Sequence, residues 1–255
     1  MAATNAARLV KHPLPQRVMH WFNASCFLLL WLTGIGIVTT SGYRIAPQFY
    51  VDLLQGIFGS GAALLSFHVR VGILWFAVMA FGFVVDPYGL AWRFLRDLVP
   101  TRADLDWMLL KPKAELDPSV ELPRQGAYNG GQKAFGATAL VGGTLIGLTG
   151  VAMVIGSGGE LGRWVVLLHL LAVGGVIAFF FVHFSMAALI KVERPALKSM
   201  FTGQVDPEYA SHHHGDWYDA HKRDGGEHIR AEHRFGLPRA IGRGQIGRAS
   251  CRERV

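Results

Sequence analysis

The sequence predicts an all-α membrane protein, a four-helix bundle that crosses the bilayer several times. Of its 255 residues, 51% are hydrophobic and only 17% are charged, whereas an average soluble domain carries about 25% charged residues. The apolar residues are concentrated in four blocks, and each block exceeds the roughly 20 residues that a helix needs to cross a membrane. These observations exclude a soluble domain with a large core.

The ends of the four blocks are marked by charged residues and helix-breaking residues. Asp86-Pro87 closes the second block, Gly158-Gly159 separates the third from the fourth, and Glu193 follows the fourth. The first block is too long for a signal-peptide core and has no small-residue cleavage site, so we expect it to be retained as a helix. A membrane domain is predicted over 18–195, after a polar arm 1–17 and before a tail 196–255, with spans at about 18–40, 57–85, 133–157 and 163–190.

The basic residues predict the orientation of the spans. They are concentrated in the N-terminal arm, in the loop 86–132 and in the C-terminal tail, whereas the two other connections carry one each, Arg44 and Arg163. By the positive-inside rule, both termini and the long loop are expected in the cytoplasm. Topology therefore explains the net charge of +7, and we predict no nucleic-acid partner.

The two cysteines exclude two kinds of site. Cys26 lies in the first apolar block and Cys251 in the tail, and the chain has no CxxC motif. A disulfide framework and a cysteine-held cluster are therefore not expected.

Four histidines, His20, His68, His169 and His183, lie in the predicted spans. An ionisable side chain at membrane depth is costly and marks a functional site by default. His169 and His183 share one uncharged run at a spacing of 14 positions. On a helix this spacing returns to within about 40° of the same face and separates the two residues by roughly 21 Å along the axis.

The predicted topology arranges these histidines in two pairs. His68 and His169 are expected near the outer side of the membrane, and His20 and His183 near the inner side. Two imidazoles from different helices are suitable axial ligands for a low-spin haem iron. Zinc is a poorer fit because it takes four ligands. The alternative is that each histidine is a hydrogen-bonded packing residue.

Arg70 and several glycines extend this hypothesis. Arg70 lies two residues from His68, so its guanidinium is a candidate partner for a haem propionate. The alternative is that Arg70 extends to the outer interface. The helix glycines allow a flat macrocycle to approach, or they serve ordinary packing of helices; they are Gly34, Gly36, Gly72, Gly142, Gly143 and Gly147.

The chain resembles the di-haem b-type cytochrome, or gamma, subunits of membrane-bound formate dehydrogenases. The resemblance covers roughly residues 10–222. It is carried by the four histidines, by "QRVMHWFNA" around His20, by "YNGGQK" at Tyr128 to Lys133, and by "FTGQVDPEYASHHHGDWY" after the fourth span. Related cytochromes of hydrogenases and thiosulfate reductases share the general plan and remain alternatives.

The resemblance implies a function for the chain. Electrons would come from a periplasmic catalytic (alpha) subunit through an iron–sulfur (beta) subunit, pass two b haems and reduce menaquinone or ubiquinone at the cytoplasmic side of the bacterial inner membrane. It further implies that Asn129, Gly131 and Gln132 adjoin the quinone, since amide groups bond quinone oxygens. The alternative for Asn129 is an N-cap of the third span.

Other features set the limits of this hypothesis. The sequence has no Gly-rich nucleotide loop or molybdopterin site, so we expect an electron-transfer and quinone-reducing subunit that does not oxidise formate alone. The loop 86–132 is expected either to dock a partner or to cover the quinone. The last residues, 236–255, resemble nothing in the family and are interpreted as foreign. An alternative class is a haem-free membrane anchor or transporter.

Overall fold

A computed structural model describes residues 8–40, 45–156 and 158–223. Four long helices and several shorter elements make up the fold, and the all-α class with four membrane-length helices is confirmed. In chain order the elements are β1 Leu9–Val10, α1 Leu14–Thr40, α2 Gln48–Phe58, α3 Gly61–Val85, α4 Leu90–Asp97, α5 Arg102–Ala114, α6 Gly130–Ile155, α7 Gly159–Phe184, α8 Arg194–Thr202, β2 Gln204–Val205, α9 Pro207–His213 and α10 Gly215–Arg223. A π-helical turn, Ser185–Leu189, continues α7, and a 3₁₀ turn, Lys191–Glu193, precedes α8.

Two helices begin at positions that differ from the expected span starts. Helix α1 begins at Leu14 rather than near 18. Pro15 is accommodated in the first turn, because the backbone N–H that proline lacks would have no partner within the helix there. The second apolar block forms two helices. Gly59, with φ 77°, ends α2, and the Ser60 hydroxyl then accepts from Ala63 N to start α3 at Gly61.

The four long helices pack into a bundle. Helix α1 packs on α3, α6 packs on α7, and α3 packs on α6. Rings of α1 and α7 close the bundle, with Trp31 and Phe181 centroids 5.7 Å apart. The buried centre is formed by Trp75, Ile146 and Val176. Trp75 also donates its indole N–H to Asn23 Oδ1 at 2.8 Å.

The outer surface of the bundle is apolar. Large side chains such as Phe81, Val84, Val141 and Leu171 are 62–84% exposed: 66%, 84%, 69% and 62% respectively. Exposed apolar side chains on helices of this length are expected where lipid, rather than water, surrounds the protein. The chain is therefore a multi-pass membrane protein.

The bundle has two different ends. We name as the loop end the one that carries residues 86–129 and 190–223, and as the far end the opposite one. At the loop end, β1 pairs antiparallel with β2, so that the N-terminal arm and the C-terminal segment lie together. Gly203 O accepts from the backbone N–H groups of Lys11 and His12 at 2.8 and 3.1 Å. Residues 236–255, interpreted above as foreign, lie outside the described residues.

The segment between α3 and α6 is folded onto the start of α6. Lys133 Nζ contacts Asp104 Oδ2 at 2.7 Å, and both side chains are largely buried. Gln125 Oε1 accepts from Gly130 N at 2.8 Å. The segment therefore anchors the residues that precede α6.

The C-terminal segment is tied to the same region through Glu193. Its carboxylate accepts from Tyr209 Oη at 3.0 Å and pairs with Lys111 Nζ at 3.3 Å. Ser199 and Ala210 are fully buried, at 0% exposure. Residues 194–223 are thus an integral part of the loop end.

Candidate functional site

The four membrane histidines lie at two levels of the bundle. His68 in α3 and His169 in α7 lie toward the far end, and they are close enough to interact electrostatically. His20 in α1 and His183 near the end of α7 lie toward the loop end and are likewise within electrostatic range. Each level therefore brings together imidazoles from two different helices.

Both far-end histidines are hydrogen-bonded to buried threonines. His68 Nδ1 lies 2.8 Å from Thr33 Oγ1, and His169 Nδ1 lies 2.9 Å from Thr149 Oγ1. Each hydroxyl hydrogen is already directed at a carbonyl of its own helix, Leu29 O at 2.9 Å and Leu145 O at 2.6 Å. We therefore assign Nδ1–H as the donor in both bonds, and this tautomer leaves each Nε2 with a free lone pair.

The two threonines belong to a repeated tripeptide. Helix α1 carries Leu32-Thr33-Gly34, and α6 carries Leu148-Thr149-Gly150. A Cβ at Gly34 would lie 3.4 Å from His68 Cε1, and a Cβ at Gly150 would lie 3.7 Å from His169 Cε1. Sequence reasoning missed both threonines, although the repeated Leu-Thr-Gly was a usable signal. The α1–α3 and α6–α7 helix pairs thus present their histidines in the same way.

The loop-end histidines have different surroundings. His183 stacks on Phe135 with centroids 4.3 Å apart and an angle of 10°. His20 makes an edge contact with Trp21 at 5.2 Å. His20 Nδ1 is buried and has no hydrogen-bond partner among the described residues. Aromatic contacts therefore help to orient this pair.

The donor set at each level fits a metal that needs two protein ligands. The described part of the chain holds no group of three or more His, Cys, Asp and Glu side chains that could coordinate an ion. A four-ligand zinc site is therefore not formed there. Two neutral imidazoles suit the two axial positions of a haem iron, whose four other ligands come from the macrocycle.

Arg70 lies on α3 toward the far end. Its side chain is exposed on α3, and among the described residues it takes part in no hydrogen bond or ion pair. This leaves its guanidinium available to an anionic group or to water.

Asn129 is the N-cap of α6, which is the structural alternative that the sequence left open. Its Oδ1 accepts from Gln132 N at 2.9 Å, and Gln132 Oε1 accepts from Asn129 N at 3.0 Å. Asn129 is only 4% exposed. Both side-chain oxygens are therefore engaged, whereas the amide N–H groups are not used by the capping box.

The glycines beside Asn129 are required by close packing on α5. A Cβ at Gly130 would lie 2.4 Å from Asp104 O, and a Cβ at Gly131 would lie 3.3 Å from Trp107 Cζ3. The motif Asn-Gly-Gly-Gln thus has a structural explanation at each position.

A polar chain that sequence reasoning missed leads from the N-terminal arm toward α6. Gln16 Nε2 donates to Tyr128 Oη at 2.9 Å, and the Gln16 side chain also lies beside His12. Burial, followed by the charge of Lys11, lowers the pKa of His12 to about 3. Burial also raises the pKa of Tyr128 to about 12. The group formed by His12, Gln16 and Tyr128 therefore contains a neutral imidazole and a protonated phenol. His12 also lies within electrostatic range of His20.

Comparison with known proteins defines the family. The model of the prokaryotic cytochrome b561 family matches residues 11–203. The chain belongs to this family of membrane cytochromes, and membership implies b-type haem.

Individual relatives are formate dehydrogenase subunits. The chain is 26% identical over 222 residues to the cytochrome b556(fdo) subunit of formate dehydrogenase from Escherichia coli K12, covering 82% of this chain and 92% of the relative. It is also 26% identical over 222 residues to the nitrate-inducible cytochrome b556(Fdn) subunit of the same organism, covering 82% and 90%. A Haemophilus influenzae cytochrome b556 subunit is 24% identical over 229 residues, covering 84% of each chain. The predicted resemblance is confirmed.

Proposed function

We propose that the chain is the membrane electron-transfer subunit of a respiratory formate dehydrogenase and that it binds two b haems. The observation that carries this proposal is the presence of two imidazoles at each of two levels, in a chain of a cytochrome b family. The names of the relatives supply the formate dehydrogenase assignment.

The histidines hold the two haems in pairs. His68 and His169 would hold the far-end haem, and His20 and His183 would hold the loop-end haem. A bound b haem supplies a one-electron Fe(III)/Fe(II) couple. The protein positions the imidazoles, and its apolar helices exclude water from around them. His169 and His183 are 14 positions apart on α7, which separates the two levels by roughly 21 Å along the helix axis. An electron that passes from one level to the other would therefore cross most of the hydrocarbon core of the bilayer.

The orientation follows from charge. The loop end carries most of the basic residues, so it faces the cytoplasm of a bacterial inner membrane, and both termini lie there. The far end then faces the periplasm and receives electrons from the iron–sulfur (beta) subunit, which in turn is fed by the catalytic (alpha) subunit. Arg70, which is exposed and has no hydrogen-bond or ion-pair partner among the described residues, would pair with a propionate of the far-end haem.

The quinone binds at the loop end. The amide N–H groups of Asn129 and Gln132 remain as donors to a quinone oxygen, since their carbonyl oxygens are used in the cap. Gly131 keeps the start of α6 close to Trp107 and so positions both amides. Menaquinone and ubiquinone both offer the carbonyl groups that these donors recognise.

The alternative within the same family is a cytochrome subunit of a hydrogenase or of another respiratory oxidoreductase. Such a chain would keep both histidine pairs and differ in the partner that docks at the far end. The distinction therefore depends on the electron donor and not on the haem site.

The test uses the complex assembled with its native partner subunits in membrane vesicles. Formate addition should reduce the cytochrome, and added quinone should reoxidise it. His183→Ala should stop quinone reduction while formate oxidation by an artificial acceptor continues. Reduction by hydrogen or another donor, but not by formate, would contradict the formate dehydrogenase assignment and leave the haem assignment intact.

A further inference from the structure

The two histidine pairs have different surroundings. In the far-end pair, both Nδ1–H groups donate to threonine hydroxyls, at 2.8 and 2.9 Å. In the loop-end pair, His20 Nδ1 is buried without a hydrogen-bond partner among the described residues, and His183 stacks on Phe135. The difference lies in the atoms that orient and polarise the imidazoles.

The far-end hydrogen bonds are protected from water. Thr33 is 2% exposed and Thr149 is 7% exposed. Each hydroxyl also donates to a carbonyl one turn earlier in its own helix. This commits its single hydrogen and leaves oxygen lone pairs facing the imidazole. Such a hydroxyl is polarised by the bond that it donates, which makes it a better acceptor.

An imidazole that donates from Nδ1 is a stronger base at Nε2. Partners of this kind are known to fix the tautomer of a metal-bound histidine and to raise its basicity as a ligand. A more basic axial ligand stabilises ferric iron relative to ferrous iron and therefore lowers the reduction potential. Two such bonds act on the same far-end site.

We propose that Thr33 and Thr149 are positioning residues that give the far-end haem the lower reduction potential of the two. This inference rests on the proposed function. The asymmetry makes electron transfer from the far end to the loop end favourable, which is the direction required for a donor docked at the far end and a quinone bound at the loop end.

The two threonines are not equivalent in their expected effect. His169 also forms a hydrogen bond with the backbone of Ile146, so a second acceptor remains after loss of the Thr149 hydroxyl. For His68, Thr33 is the only hydrogen-bond partner within the described residues. Thr33→Val should therefore shift the potential more than Thr149→Val.

The experiment is a redox titration of the purified, haem-loaded chain, followed by visible absorption and by electron paramagnetic resonance of the ferric state. Thr33→Val should raise the lower of the two midpoint potentials, change the resonance of one haem, and leave the other haem unchanged. Thr33→Ser keeps a hydroxyl at this position and should therefore show the wild-type midpoint potentials and the wild-type resonances. Thr39→Val is the matched control, because Thr39 Oγ1 also donates to its own helix at Ile35 O, 2.8 Å away, and forms no hydrogen bond with a histidine among the described residues.

Several results would overturn the inference. If both haems are retained in Thr33→Val and neither potential moves, or if the higher potential moves instead, the assignment of Thr33 is wrong. Should Thr33→Val lose its haem, Thr149→Val carries the same test with the smaller expected shift, and an unchanged potential there rejects the proposal. A wild-type chain that binds no haem would reject the proposed function itself, which is a separate outcome.

Discussion

His68 donates its Nδ1 hydrogen to Thr33 Oγ1 over 2.8 Å, and this bond joins α3 to α1 at the far end of the bundle. His169 and Thr149 join α7 to α6 in the same way. Each bond fixes the ring orientation and the tautomer of a histidine proposed to bind haem. The packing of α1 on α3 and of α6 on α7 therefore also orients the two far-end histidines.

The close packing of α6 on α3 predicts a strong effect of one methyl group. A Cβ at Gly147 would lie 2.1 Å from Phe76 Cδ2, so Gly147→Ala must displace the ring or the helix. We expect a loss of about 1–3 kcal/mol in stability, measured as a lower thermal midpoint in detergent. The control is Gly174→Ala, where a Cβ would meet no atom of the described residues within 4 Å. Equal midpoints for the two variants would show that this contact is not tight.

Two variants of Asn129 separate its capping role from its proposed role toward quinone. Asn129→Asp keeps the Oδ1 acceptor of the N-cap and removes the amide donor, whereas Asn129→Ala removes both. We expect Asn129→Ala to lose about 1 kcal/mol of stability and Asn129→Asp to lose little. Both should slow quinone reduction at full haem content.

Gln132→Glu offers an independent check, because it retains the oxygen that accepts from Asn129 N and loses its donor. Quinone reduction at the wild-type rate in both Asn129→Asp and Gln132→Glu would limit these residues to capping.

Arg70 predicts a spectral change confined to one haem. Removing its positive charge in Arg70→Leu should weaken binding of the far-end haem or shift its absorption and potential, because a propionate would lose its charged partner. Arg70→Lys retains the charge and should give a smaller change. A spectrum of Arg70→Leu identical to that of the wild type would exclude contact with a propionate.

Buried histidines at the loop end predict acid sensitivity. Burial, followed by the charge of Lys11, lowers the pKa of His214 to about 2, although its hydrogen bond with Gly126 O opposes the shift. In the unfolded chain the pKa is about 6.5. Between these values the unfolded state binds more protons, so stability falls as the pH falls below about 6.5. One such histidine contributes up to about 1.4 kcal/mol per pH unit.

Thermal midpoints measured from pH 7.5 to pH 5 test this effect. His214→Gln retains a donor for Gly126 O but does not titrate, so its midpoint should depend less on pH. The exposed His212→Gln serves as the control and should behave as the wild type does. An unchanged pH dependence in His214→Gln would show that another group controls the acid sensitivity.

Much of the architecture follows from composition alone. The four apolar blocks predict the four long helices, because in lipid a chain segment must satisfy its own backbone groups and a helix does so. The break at Gly59 was missed, since a glycine inside an apolar run signals a helix end only when its left-handed conformation is known.

The histidines could be recognised as candidate ligands, but their hydrogen-bond partners could not. His68, His169, His20 and His183 are conspicuous because ionisable side chains are costly in a membrane. Thr33 and Thr149 are not, because a threonine in a helix ordinarily bonds its own carbonyl. Which helices face each other decides that these hydroxyls meet imidazoles, and that depends on packing over the whole chain.

The proposal that the two histidine pairs each bind a haem is tested most directly by a dithionite-reduced minus oxidised spectrum of the purified chain, with haem quantified per polypeptide. We predict two low-spin b haems per chain. His68→Ala or His169→Ala should remove the far-end haem. His20→Ala or His183→Ala should remove the loop-end haem. A folded chain, supplied with haem, that binds one haem would contradict the assignment of one pair, and a folded chain that binds none would contradict both and favour a haem-free anchor or transporter.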